Sequence, residues 1–194
     1  MINTLSPSNQ SYQRGFTLIE LIVTVSLLAI LLALAAPSFV SYRRNSELVS
    51  ITNNFMASLN AARTEGMKKN MYSMVVPIGN DNNWSAGWVV FIDVNSDGVF
   101  DSGDSIVLKQ EAVPSYISIS GNGSTAETNS HVRFDGSGFS RPIGTISNAT
   151  LSISRSDASS DYRQIRRVKI AVTGRTRVCT PQSATDSNCS SSGT

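Results

Sequence analysis

The pattern of apolar and polar positions divides the chain into three regimes. From Phe16 to Ala36 it is almost wholly apolar, a run long enough to span a bilayer as a helix. One charge interrupts it near the start, Glu20. A carboxylate in hydrocarbon is expensive, so it is expected to have a partner or a task. Past Pro37 the pattern becomes amphipathic. Leu48, Ile51, Phe55, Leu59 and Ala62 recur at steps of three and four and form one face, while Arg43, Arg44, Glu47, Asn54, Arg63 and Lys68 lie mostly off it. One long helix from Phe16 to about Lys69 is predicted.

Beyond Asn70 the period shortens to two. Ser73–Ile78, Trp88–Val94, Ile106–Lys109, Tyr116–Ser120, Val132–Phe134, Leu151–Ser154 and Val168–Val172 are short β-branched or aromatic runs separated by Gly, Asn, Asp, Ser and Pro clusters. The expectation is an α+β chain, its antiparallel β domain laid against the amphipathic half of the helix. A length of 194 residues leaves room for one such domain beside the apolar segment. The formal net charge of +2 is too small to imply a partner, so only the local distribution of charge is informative.

The segment before the apolar run, Met1 to Gly15, is polar, carries Arg14 and contains no acid. An ordinary secretory signal has its apolar core before the cleavage site; here the polar leader comes first. Gly15-Phe16-Thr17-Leu18-Ile19-Glu20 resembles the processing site of type IV prepilins and type II secretion pseudopilins. The resemblance implies cleavage after Gly15 by a prepilin peptidase, N-methylation of the new terminal Phe16, and pairing of Glu20 with an N-terminal amine during assembly. Pro37 falls where that family has a helix-bending proline, in keeping with its missing N–H and its clash with the preceding turn.

Further marks resemble the GspH/FimT/FimU branch of the pilin-like proteins. They are Leu59-Asn60-Ala61-Ala62-Arg63-Thr64-Glu65, Gly87-Trp88-Val89-Val90-Phe91, Asn95-Ser96-Asp97-Gly98 and Gly174-Arg175-Thr176-Arg177-Val178-Cys179. The implied organisation is a cleaved leader (1–15), a transmembrane and assembly helix (16–36), its amphipathic continuation (37–70), a periplasmic β domain (71–178) and a C-terminal disulfide loop with a tail (179–194). The implied partners are other major and minor pilins, the prepilin peptidase and the inner membrane; no cofactor is expected. A single-pass protein of that membrane, later part of a pilus at the cell surface, has its domain in an oxidising compartment. There Cys179 and Cys189 are expected to be bridged, a short loop closure contributing about 2–3 kcal/mol.

Three places invite chemistry. Asp93 to Asp104 sets Asp93, Asn95, Asp97, Asp101 and Asp104 at loop positions one, three, five, nine and twelve with Gly98 at six, which resembles a calcium loop. Its twelfth position is Asp, however, and its flanks read as strands, so a hairpin loop rich in turn residues is the default. The second place is basic. Arg163, Arg166, Arg167, Lys169, Arg175 and Arg177 lie between Asp161 and the first cysteine. Alternation turns Val168, Ile170 and Val172 to the core and Arg167 and Lys169 to solvent, and extends to Arg175 and Arg177 beyond a turn at Gly174. Guanidinium and ammonium groups on one solvated face suit phosphates. In the FimT part of the family a Gly-Arg-x-Arg element here contributes to DNA binding in natural transformation; Gly174, Arg175 and Arg177 match it. Double-stranded DNA is therefore a candidate partner through Gly174, Arg175, Arg177, Lys169 and Arg167, against a charge-protected edge strand or a contact with another pilin.

The third place is enzymatic, and the residues do not support it. His131 is the one histidine, and Gly136-Ser137-Gly138 is not a nucleophile elbow. No phosphate loop or dinucleotide fingerprint occurs, and Asp135 to Gly138 reads as a turn. The expectation is a non-enzymatic minor pilin supporting pilus biogenesis and DNA uptake. The alternatives are an adaptor pilin without DNA binding and a GspH-like pseudopilin of type II secretion. Ser190 to Thr194 is expected to be disordered.

Overall fold

A computed structural model describes residues 15–79, 81–144, 148–158 and 160–192. The segment expected to be a leader, up to Arg14, and the last two residues lie outside it. The chain divides into two units, Met1–Tyr42 and Arg43–Thr194. One helix, α1 (Leu18–Lys69), runs through Pro37.

The helix begins with a capping residue that pattern-reading overlooked. Thr17 Oγ1 accepts the Glu20 N–H at 3.2 Å, and the Leu21 N–H reaches the Thr17 carbonyl at 3.1 Å. Thr17 and Glu20 therefore stand in the spacing of a capping box, with the acid at the electropositive helix end. Within the apolar stretch, Thr24 and Ser26 return their hydroxyl protons to the Leu21 and Ile22 carbonyls, so neither leaves an unpaired donor. The helix ends at Asn70, whose φ of 51° is left-handed. The Asn70 N–H bonds Met67 O and the Met71 N–H bonds Gly66 O, the two bonds of a Schellman motif.

The expected antiparallel β domain follows, built as two four-stranded sheets. The first has β1 (Tyr72–Pro77), β2 (Trp88–Asp93), β3 (Ser105–Gln110) and β5 (Val132–Phe134) in the order β3-β2-β1-β5. The second has β4 (Ile117–Asn122), β6 (Ala149–Arg155), β7 (Ile165–Ile170) and β8 (Thr176–Cys179) in the order β4-β6-β7-β8. Two features differ from the predicted strands. The run ending at Val172 is instead β7, which stops at Ile170, and β8 is an additional edge strand. Ala171 donates to Arg175 O and Gly174 to Ala171 O, closing the hairpin between them.

The core is where the helix face meets both sheets. Leu48, Ile51, Phe55, Leu59 and Ala62, the predicted stripe, are all buried. Against them lie Val75, Val90, Val132 and Phe134 of the first sheet and Leu151, Ile153, Val168 and Ile170 of the second. Phe55 meets Trp84 and Trp88 edge-on, with ring centroids 5.6 Å and 5.1 Å away. Both indole N–H groups are satisfied, Trp84 by Thr125 O and Trp88 by Ser58 Oγ. A second cluster (Met74, Val76, Val89, Phe91) lies on the other face of the first sheet, with Phe100 of the β2–β3 loop packed on it.

Polar contacts fix the start of the packed helix. Arg44 donates to Asp157 at 2.7 Å and stacks over the Tyr116 ring, whose hydroxyl bonds Glu47. Buried Arg155 grips the same Asp157 through two nitrogens. These hydrogen bonds, Arg155 first and Arg44 after it, hold the Asp157 carboxyl well below the usual carboxylate range although partial burial opposes them.

Replacing Phe55 by Ala empties the site shared by both tryptophans. The expected loss is about 3–5 kcal/mol in urea unfolding followed by tryptophan fluorescence, and Phe55→Leu retains most of it.

Candidate functional site

Two regions of the molecule carry groups suited to interaction, and they differ in kind. The first is the apolar segment of α1. Phe16 is 82% exposed, and Leu18, Ile19, Leu31, Leu32 and Leu34 are all exposed as well. A surface of this extent does not persist in water alone and marks a membrane or protein contact. Among the described residues, α1 is the one helix long and apolar enough to cross a membrane. Gly15 and Phe16 lie just before its first turn, and Glu20 is exposed on it.

The second region is the β7–β8 hairpin. The predicted alternation is correct in direction: Val168 and Ile170 are buried in the core, and Arg167 and Lys169 point to the opposite face. The predicted solvent exposure is not. Arg167 and Lys169 are only 9% and 6% exposed, because the C-terminal segment covers them. Arg167 Nη1 donates to the Cys189 carbonyl, and Lys169 Nζ donates to Ser190 Oγ at 3.0 Å. Burial pushes the Lys169 ammonium below its ordinary range, and Arg177 and Arg167 push the same way. Neither residue is an open DNA-binding group in this conformation.

Cys179 and Cys189 form a disulfide with Cα atoms 5.8 Å apart, and the segment from Asn188 to Ser192, at and just beyond its second cysteine, is what lies over the sheet. Asp186 organises that loop by accepting from the Gln182, Asn188 and Cys189 N–H groups, and these bonds, Gln182 foremost, hold its carboxyl below the usual range. The expected disorder of the tail is corrected for Ser190 to Ser192, whose oxygens are bonded by Lys169, Asn122 and Thr150.

Arg175 and Arg177 remain exposed. Arg177 Nη2 donates to Asn188 O at 3.0 Å. Arg175 makes no side-chain hydrogen bond or ion pair among the described residues. With Lys169, Thr150 and Asn148 they line an open groove of about 330 Å³. Gly174 is buried, with φ of 77°. A Cβ there would lie 1.9 Å from the Gly138 carbonyl oxygen, which accepts from Arg63 Nε of α1. Gly174 thus aims the hairpin from a close backbone contact.

The other candidates resolve into structure. In the β2–β3 loop the calcium-like donors are occupied by the backbone. Asp93 accepts from Gly98 N–H, Asn95 from Asp97, Asp97 from Val99, Asp101 from Gly103, and Asp104 from Val94 and Asp101. These are the bonds of a hairpin loop between two strands. Among the described residues no group of three or more His, Cys, Asp or Glu is arranged to hold a metal ion. Buried Asp93 lies 3.7 Å from Arg133, which stacks on the Tyr72 ring; burial pushes its carboxyl up, with Arg133 opposing. Buried His131 accepts the Ile143 N–H at Nε2, which leaves its Nδ1–H for Asn129 O. Asp135–Gly138 is a turn, its aspartate accepting from Ser137 and Phe139.

An apolar N-terminal helix, opened by a Gly-Phe junction and packed further along on antiparallel sheets, defines a pilin-like protein. The chain belongs to the family of the type II transport protein GspH, whose family model matches residues 52–174. The prokaryotic N-terminal methylation motif matches residues 10–36. The first match ends at Gly174, before Arg175, Arg177 and the disulfide loop. Two crystal structures of the type IV minor pilin FimU of Pseudomonas aeruginosa share the fold. One has a TM-score of 0.53 at 21% identity, covering 73% of this chain and 98% of that one. The other has a TM-score of 0.50 at 21% identity, covering 69% and 97%. The type IV major pilin protein PilA of Myxococcus xanthus is 33% identical over 72 residues, which is 37% of this chain and 31% of PilA's length.

Substituting Gly174 by Ala is expected to lower stability by about 1–3 kcal/mol through left-handed strain and the clash at Gly138. Thermal unfolding checks this, and a functional defect in that variant reports lost geometry before it reports a lost ligand.

Proposed function

We propose that the chain is a minor type IV pilin, cleaved after Gly15, methylated at Phe16 and held in the inner membrane by the apolar part of α1. It then passes into the priming or tip complex of a pilus among other major and minor pilins. The exposed apolar helix with a single carboxylate in its first turn carries this reading. In a bundle of such helices the apolar faces exchange lipid for one another. Glu20 sets the register by neutralising a neighbour's terminal ammonium, and an unpaired charge there costs about 3–5 kcal/mol. The GspH-type family fits a pseudopilin of type II secretion on the same grounds. The basic hairpin, for which a secretion pseudopilin has no evident use, favours the pilus.

Glu20→Gln keeps an amide able to serve at the third helical position but removes the charge. The expected outcome is normal cleavage and membrane retention with little protein in sheared filaments. Incorporation at the wild-type level would remove the pairing role.

The second part of the reading is DNA contact. Arg175, with no protein partner for its guanidinium among the described residues, and Arg177 flank a groove open enough for a phosphate. The full chain in nonionic detergent should bind DNA of unrelated sequences, with affinity falling steeply as salt rises. Arg175→Gln/Arg177→Gln should make the dependence on log salt shallower by about two phosphate contacts. Absence of binding at low salt would leave the adaptor role, with this face meeting another pilin.

A further inference from the structure

The outer face of the second sheet carries an unbroken row of polar side chains, one from each strand. Asn122 is paired with Thr150, Thr150 with Lys169, and Lys169 with Arg177. Register partners stand on the same face of a sheet. In the adjoining row Ser152 is paired with Arg167 and Arg167 with Cys179. No carboxylate stands in either row.

The chain's own C-terminal segment lies across this face, and five side-chain contacts run from the sheet to it. Asn122 Nδ2 donates to Ser191 O at 2.6 Å and Thr150 Oγ1 to Ser192 O at 3.5 Å. Lys169 donates to the Ser190 hydroxyl oxygen, Arg167 to Cys189 O and Arg177 to Asn188 O. The sheet supplies donors from four strands, and the segment supplies a line of oxygens. Three cations crowd the face, and the Asp186 carboxylate of the loop acts electrostatically on Lys169 and Arg167. Four strands span about 14 Å, enough to follow a short run of consecutive phosphates along one strand. A row of donors facing a line of oxygens is the chemistry by which a protein holds a phosphodiester backbone.

We propose that this row is a nucleic-acid backbone track, and that the Ser190–Ser192 segment, tethered at Cys189 by the disulfide, is the built-in competitor that fills it. In the full chain the segment keeps this row filled while DNA is held at Arg175 and Arg177, and DNA gains Lys169, Thr150 and Asn122 only once the segment is out of the way. The inference rests on the DNA reading above and extends it to the residues that the tail covers.

The test compares the full chain with one ending at Cys189, both in detergent, on a random-sequence DNA duplex across a salt series. Shortening should raise affinity about tenfold and steepen the dependence on log salt by about one phosphate contact, that of Lys169. Lys169→Gln should change little in the full chain and abolish the gain in the shortened one, a coupling that destabilisation alone does not produce. Ser190→Ala, which removes the oxygen facing Lys169 without shortening the chain, should move affinity the same way by a smaller factor, and thermal unfolding reports that each variant is folded. Equal binding by the full and shortened chains overturns the track and leaves the Arg175 and Arg177 reading standing. A gain that survives Lys169→Gln also overturns it. Binding by the shortened chain alone supports the track and removes the open-hairpin reading; binding by neither removes both.

Discussion

The edge-on contact of Phe55 with Trp84 and Trp88 is the interaction on which the domain depends. Phe55 is the middle of the buried helix stripe, Trp88 opens β2, and Trp84 sits in the short 3-10 turn just before it. The three rings bring helix, first sheet and connecting segment to one point. Each indole then needs a hydrogen-bond partner in an apolar setting. Trp88 finds it on the helix at Ser58, and Trp84 finds it at Thr125, just beyond β4 of the second sheet. The polar handles of two apolar groups thus tie the helix to the first sheet and the first sheet to the second. Aromatic burial supplies the energy, and the two N–H bonds supply the orientation.

What was legible in the residues follows from how local each feature is. The helix face was legible because Leu48 to Ala62 repeat at helical spacing and nothing else in the chain alters where they point. Most strands were legible from alternation for the same reason. The division into two sheets was not, because it depends on β1 finding β5 and β4 finding β6 across long stretches of chain, which no local period records. The helix start was recorded in Thr17-x-x-Glu20, a capping pattern masked by the more conspicuous fact of an acid in an apolar run.

Arg167 and Lys169 show where a period stops being informative. Alternation says which face a side chain takes and says nothing of what else occupies that face. A serine-rich end after a cysteine has the composition of a loose tail. Yet the Asn188 to Ser192 oxygens are held because the disulfide returns the chain to the sheet and the side chains that meet them there donate. The same cations that recommend the strand as a phosphate surface are what bind the tail. The acidic loop is the complementary case. Asn and Asp at alternate positions match a cation loop in spacing, but in a hairpin between two strands their oxygens lie nearest their own backbone N–H groups and are taken up there.

The two surface regions of this pilin-like chain differ in physical type. The apolar helix offers area without direction, and only Glu20 among its first residues carries a charge that can distinguish one axial position from another. Packing on apolar area alone would tolerate slippage along the helix; under the proposed pairing a single carboxylate would not, because any other position would leave it uncompensated. The hairpin uses the opposite means, few apolar groups and several cations, which on the proposed reading would suit a polyanion of no fixed sequence and leave affinity governed by salt. Gly174, fixed against Gly138 and so against Arg63, holds that hairpin to the helix beneath it. The basic face is therefore carried on the same rigid core that the aromatic cluster secures, and whatever it binds is held to the helix through that core.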